Sequence, residues 1–292
     1  MKAFPVALTL IVVASVLAAA PLMQSSAASR ASTAKSVVSS LSPTSTVPFF
    51  PNIKITDGTS PYNWQVEPTM VVNKTGTVFV GWKETTGAET AGYRVGASFS
   101  TNQGNTWAPN ILMNQTHPNQ NCRDSDPWMA LDPNDRVHFA YLEYDPNSGS
   151  SPPCNSGFDV SNTTNGQDWG GVHYIQGFGG LVDKDSITFD SSGRLYATWD
   201  EGNILALTWS DDDGNHWASI QNPGNVGFGV LGAVVGTFGA SSVYLTWWDF
   251  STDNIMFEAS DDRGQTWGPQ IRVNSAGGSA QQVGPWQIPI PA

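Results

Sequence analysis

Positive charge is scarce in this chain: 13 Lys and Arg face 25 Asp and Glu, for a formal net charge of -12. A polyanion would meet net repulsion instead of the counterion release that drives its binding, so nucleic acid is excluded as a partner. Charge of either sign is thin, at 13% of residues, while Gly (29), Pro (19) and Trp (12) are abundant. Helical bundles need the opposite balance, rich in Leu, Ala, Glu and Lys, so the composition points to an all-β chain. Cysteine is limited to Cys122 and Cys154. Two thiols without a nearby His pair fall short of the four ligands of a zinc site, and in an oxidising compartment such a pair becomes a disulfide. Beyond the apolar run from Phe4 to about Met23, no segment is long enough to span a bilayer.

That run, preceded by Lys2 and followed by the small residues Ala27 and Ala28, reads as an export signal over residues 1–28. An uncleaved anchor is the alternative, because about 20 apolar residues suffice to span a membrane. Residues 29–48 are Ser, Thr, Ala and Pro with almost no aromatic anchor, the composition of a disordered tether. The reading is a secreted or surface protein with no membrane span after signal cleavage, whose folded part is 49–292. Removing Lys2, Arg30 and Lys35 takes away three positive charges and no negative ones, so the acidity belongs to that folded part.

One pattern with offsets of zero, two, four and seven recurs along it. Clear copies are Ser210, Asp212, Gly214, Trp217 and Ser260, Asp262, Gly264, Trp267; a third reads Ser100, Asn102, Gly104, Trp107. A degraded copy reads Asn162, Thr164, Gly166, Trp169. Successive Trp residues are 62, 48 and 50 positions apart. A short polar side chain can accept bonds from turn amides, Gly permits a left-handed backbone, and the Trp opens the returning strand. Each copy lies between β-rich runs, so each closes a hairpin, and four at such intervals specify β-propeller blades. The run Asp211 to Gly214 is no EF-hand loop, since the bidentate Glu at loop position twelve is missing.

These boxes resemble the Asp-boxes, or BNR repeats, of the sialidase (neuraminidase) superfamily, and the resemblance covers roughly residues 50–290. It implies a six-bladed ring of four-stranded blades with the boxes on the face opposite the active site. Inner strands are expected from near Pro68, Pro127 and Ser186, and second strands at Val78–Trp82, Val137–Tyr141, Leu195–Trp199 and Val243–Trp247. Asn52–Thr56 matches the outer-strand pattern of Gln270–Asn274, and Trp286–Ile290 looks like the start of a further inner strand. The expectation is therefore about four complete blades in a chain truncated on its C-terminal side.

Opposite the boxes, a carboxylate follows the second strand in each blade: Glu84, Glu143, Glu201 and Asp249; Glu67, Asp124, Asp126, Asp183 and Asp185 lie in loops entering the inner strands. Crowded carboxylates can hold a proton for general acid catalysis, coordinate a calcium ion, or form a solvated rim. Asp124, Asp126 and Glu201 are the catalytic candidates, and no cofactor is required. Arg123, Trp128 and Trp248 are the candidates for holding a glycan, whereas Trp82, Tyr141, Trp199 and Trp247 share one repeat position and read as inter-blade packing. The resemblance also implies an arginine in a Phe/Tyr-Arg-Ile/Leu-Pro motif; here Gln65, Val66, Glu67 and Pro68 stand, with Val66 at the arginine position. Three functions remain open: a glycoside hydrolase acting on a neutral or cationic glycan, a glycan-binding propeller, and a propeller for protein interaction or adhesion.

Overall fold

The computed structural model describes residues 52–62, 64–86, 93–117, 122–144, 157–227 and 229–275, with backbone alone at 282–283 and 286–287. The signal and tether segments and Cys154 lie outside the described residues.

The first blade is β1 (Trp64–Val72), β2 (Val78–Thr85), β3 (Arg94–Ser100) and β4 (Ile111–Leu112), paired in that order. The second is β5 (Arg123–Leu131), β6 (Val137–Tyr144), β7 (Gly157–Thr163) and β8 (His173–Gln176). The third is β9 (Val182–Phe189), β10 (Leu195–Glu201) and β11 (Ile204–Ser210), with a single bridge from Leu207 to Gln221 at its outer position. The fourth is β12 (Val230–Phe238), β13 (Ser242–Asp249), β14 (Asn254–Ser260) and β15 (Ile271–Arg272). Every pairing is antiparallel. These are sialidase-like propeller blades.

Alternation along the strands lets each sheet serve two neighbours. Phe139 and Tyr141 of β6 join Phe79, Val95 and Phe99 of the first blade, while Ala140 and Leu142 face the third. Tyr196, Leu205 and Leu207 pack against Val230, Val235 and Trp247 in the same manner. The four equivalent aromatics Trp82, Tyr141, Trp199 and Trp247 are all buried, as expected of inter-blade packing.

The box turns form a repeated hydrogen-bond unit. Ser210 Oγ accepts from Gly214 N at 2.9 Å and donates to Asp212 Oδ1 at 2.8 Å, and that oxygen accepts from His216 N at 2.8 Å. Ser260 and Asp262 repeat it with Gly264 and Thr266, and Ser100 and Asn102 with Gly104 and Thr106. In the second blade the unit is one residue shorter than the sequence pattern suggests. Thr163 accepts from Gly166 N at 3.0 Å, and Asn165 accepts from Gln167 N and Asp168 N, so these two take the roles read for Asn162 and Thr164. The four glycines have φ between 78° and 91°.

Two strand expectations change. The inner strands begin four residues earlier than Pro68, Pro127 and Ser186 suggest, because each runs through a bulge. Residues 52–62 form no strand; Asp57 instead accepts from Thr59 N and from Asn110 N, both at 2.9 Å, and so lies beside the first box turn. Trp286–Gln287 (β17) pairs with Gln282–Val283 (β16) in a short hairpin, and 288–290 lie outside the described residues.

Ser210→Ala removes the side chain on which the third box turn is organised, a loss of about 1–2 kcal/mol. Urea unfolding should show that decrease with an unchanged slope; unaltered stability would mean that the turn is held by its backbone alone.

Candidate functional site

The box end also carries the turns between inner and second strands, since Arg263 of the last box reaches Asp190 Oδ2 at 3.1 Å and Arg136 reaches Asp213 at 3.0 Å. At the other end the inner strands are bulged. The ladders skip between Val66 and Thr69, Ser125 and Trp128, and Leu231 and Val234, and opposite β9 between Thr198 and Asp200. At each skip one residue is left-handed: Glu67 (φ 52°), Asp126 (49°), Lys184 (50°) and Gly232 (67°). That conformation costs a side-chain-bearing residue roughly 1–2 kcal/mol, so three charged residues are held under strain at equivalent places.

Their side chains meet across blades. Lys83 Nζ lies 3.2 Å from Glu67 Oε1, Glu67 Oε2 accepts from Asp126 N at 3.3 Å, and Lys184 binds Asp126 while its Nζ is 3.3 Å from Asp183 Oδ1. The row continues to Asp200, whose Oδ1 accepts from Gly232 N at 3.1 Å. Burial pushes the Asp126 carboxyl up, but the Lys184 ammonium and the Ser125 hydroxyl outweigh it and hold the group well below the ordinary carboxylate range. Asp183 moves the other way: burial raises it, and a hydrogen bond from its carboxyl to Asp126 adds to the rise. Burial and the nearby Asp126 charge likewise raise Glu67. Two adjoining carboxyls bridged by a lysine thus have their proton affinities driven in opposite directions. Glu67, Asp183 and Lys184 are partly open to solvent, with side chains 41%, 38% and 39% exposed.

Deeper in the second blade lies a separate buried group. Asp124 Oδ2 accepts from Arg94 Nε at 3.0 Å and Oδ1 from Gln115 at 2.6 Å, and burial raises its pKa to about 7. Asp159, bonded to Thr116 at 2.6 Å, is raised by burial and by Glu143 to about 9. Glu143 itself binds His117.

Of the catalytic candidates, only Asp126 enters the charged row. Asp124 is fully buried on Arg94, and Glu201 is a brace: Oε2 accepts from the Trp199 indole at 3.0 Å and Oε1 from Gly180 N at 2.8 Å. Trp82 and Glu84 repeat that brace at 2.8 Å. Where Tyr141 replaces the Trp, Glu143 turns to His117 instead, and Asp249 caps the turn at Ser251 and Thr252. Arg123 stacks over Tyr93 at 5.1 Å. The Trp128 indole donates to Ile187 O at 3.1 Å within the core between the second and third blades, and Trp248 is buried against Phe250. Sequence reasoning missed Lys83 and Lys184; the one signal was that Asp183, Lys184, Asp185 occupy the register of Ser125, Asp126, Pro127.

For a cation, among the described residues three-membered ligand groups converge within 4.8 Å at His117, Cys122, Glu143 and at Asp132, His138, Asp213. Neither group includes a residue of the row, whose carboxylates are held by Lys83 and Lys184.

No protein-family model and no curated protein matches the chain. Solved structures do. The K499G mutant of the NanB sialidase from Streptococcus pneumoniae aligns with a TM-score of 0.61 at 12% identity, over 80% of this chain and 56% of that one. Trypanosoma rangeli sialidase, solved with sialic acid, aligns at 0.54 and 14%, over 72% and 37%. A Dyadobacter fermentans protein of unknown function aligns at 0.54 and 17%, over 71% and 68%. These likenesses establish a sialidase-like fold, and the chain spans about half the length of the NanB structure.

The buried carboxyls make stability depend on pH. Asp124, Asp200 and Asp159 ionise at about 7, 8 and 9 in the folded protein, against an ordinary value of 3.8. Their protonated forms contribute stability in full below about pH 4, and it is lost as pH rises through those values. The Tm should fall from about pH 5 to pH 9, with a shallower fall in Asp200→Asn; a Tm that climbs over this range contradicts the assignment.

Proposed function

We propose that this is a secreted or surface protein that uses a sialidase-like propeller to act on carbohydrate, as a hydrolase or a binder of neutral or cationic glycans. The observation that carries the reading is the bulge row at the end opposite the boxes, in which Lys184 bridges Asp126, held below the ordinary carboxylate range, and Asp183, raised above it. A glycosidic oxygen leaves more readily when protonated, and a carboxyl with raised pKa beside a fixed anion is suited to supply that proton. Because Lys184 holds the two groups side by side, they count as one unit; glycoside cleavage also needs a nucleophile or base on the far side of the sugar.

Sialic acid is the glycan least supported. Its carboxylate would call for guanidinium forks. Val66 stands where the resemblance implies an arginine, Arg94 is taken by Asp124 and the Met113 carbonyl, and Arg136, Arg194 and Arg263 serve the box end. A non-catalytic role in protein interaction draws on a different observation, the exposed Trp64 and Met70 of β1.

Export makes a Cys122 to Cys154 bridge part of the same proposal, with Cys122 buried at the start of the second blade. Closing the 32-residue separation would contribute about 3–4 kcal/mol. Unreduced peptides of exported protein should carry the bridge in mass spectrometry, and two free thiols there would count against it.

The functional test is a panel of aryl glycosides together with a glycan array. Turnover or binding of neutral or amino-sugar glycans is expected, with a fluorogenic sialoside at background. If there is turnover, Asp126→Asn should lower it about 10²- to 10⁴-fold. Sialoside hydrolysis would overturn the substrate assignment, and silence in both assays would favour the protein-interaction role.

A further inference from the structure

Glu258 breaks the repeat in a way that no blade-packing requirement explains. Two positions before the box Ser or Thr, the first three blades carry a hydroxyl that donates to the carbonyl just after the box Trp. Ser98 reaches Ala108 O at 2.7 Å, Ser161 reaches Gly170 O at 3.0 Å and Thr208 reaches Ala218 O at 2.8 Å. In the fourth blade this register holds Glu258. It is 1% exposed, and neither carboxyl oxygen has a hydrogen-bond partner among the described residues. A carboxyl without partners is among the least favourable groups to bury, and burial raises its pKa here.

Glu258 lines a cavity of about 460 Å³, within the range of small-molecule sites. Its roof is the turn around Pro223–Asn225, which approaches so closely that a Cβ on Gly224 would lie 2.5 Å from Glu258 Oε1. The other polar side chains include Asp249, whose oxygens already bind Ser251 and Thr252, and Gln270, whose Nε2 donates to Gly224 O at 3.2 Å. Among the described residues no Lys, Arg or His lines the space. Beside the unpartnered oxygens of Glu258, which lie beneath the Gly224 turn, the lining offers the side-chain amides of Gln270 and Asn225.

We propose that this cavity binds a primary ammonium group, that of an amino sugar or a similar small amine, through an ion pair with Glu258. An ammonium presents three donors to these acceptors and supplies the charge that an ionised buried carboxylate requires. A neutral hydroxyl would leave that charge uncompensated. A calcium ion needs six to eight oxygens, and the side chains of Glu258, Gln270 and Asn225 offer four. The site is separate from the charged row and does not depend on the row's chemistry.

The test is calorimetric titration of the full chain with glucosamine, with N-acetylglucosamine as the uncharged analogue and calcium chloride as the metal arm. Saturable glucosamine binding is expected, with none for the acetylated sugar. Glu258→Thr, which restores the hydroxyl of the other blades, should weaken it about 10-fold or more while raising Tm. In NMR spectra the Gly224 and Gly268 amides should shift with ligand, and Asp126→Asn should leave the affinity unchanged. Absence of saturation, equal binding by Glu258→Thr, loss of binding in Asp126→Asn, or calcium binding without glucosamine binding would each overturn the proposal. A lower Tm in Glu258→Thr would show that the carboxyl itself makes the hydroxyl's bond.

Discussion

The arrangement depends on a left-handed residue near the bulged end of each inner strand. A left-handed Glu67, Asp126, Lys184 or Gly232 inserts a bulge that bends the strand and turns its side chain out of the ladder. Just beyond each bulge the neighbouring blades are tied together. Thr69 Oγ1 accepts from Met129 N at 3.1 Å, Ser186 Oγ accepts from Val235 N at 3.0 Å, and the Trp128 indole crosses to Ile187 O. The strain, roughly 1–2 kcal/mol per side-chain-bearing residue, is offset by the buried aromatic layers between the sheets. Its consequence is chemical: side chains that an unbroken ladder would separate by blade come within contact of one another.

The two ends of the blades thus divide the work. At the box end, polar side chains are consumed by turn amides and by ion pairs such as Arg194 with Asp211. At the bulge end, the carboxylates following the second strands are consumed too, because Glu84 and Glu201 hold the indoles of Trp82 and Trp199. Gly96 belongs to that brace, since a Cβ there would lie 2.8 Å from Glu84 Oε1. After these uses, Glu67, Asp126, Asp183 and their two lysines form a partly exposed charged row across blades, with the proton affinities of Asp183 and Asp126 driven in opposite directions.

The blades were legible in the sequence because the boxes have chemistry at fixed offsets and the second strands have β-rich runs, and β2, β6, β10 and β13 begin at or within one residue of the expected places. The Thr163 register was not legible, since a one-residue deletion in the turn leaves Gly166 and Trp169 in place while shifting the residues that cap them. The bulges were hidden for a different reason: a left-handed Glu, Asp or Lys violates local preference and is imposed by the packing of neighbouring blades. That is why Lys184 passed unnoticed and why Glu201, a brace in three dimensions, looked like a catalytic group. A carboxylate two residues after a Trp is compatible with either role until the indole nitrogen is placed.

The central claim is that Asp126 and Asp183 act as one unit joined by Lys184, with Asp126 held low and Asp183 raised. Side-chain carboxyl NMR on selectively labelled protein measures this directly. Asp126 should stay ionised through the acid range while Asp183 titrates above the ordinary 3.8, and Lys184→Met should raise Asp126. If both carboxyls titrate independently near 3.8, or Asp183 is the lower of the two, the coupled pair does not exist and the functional reading loses its basis.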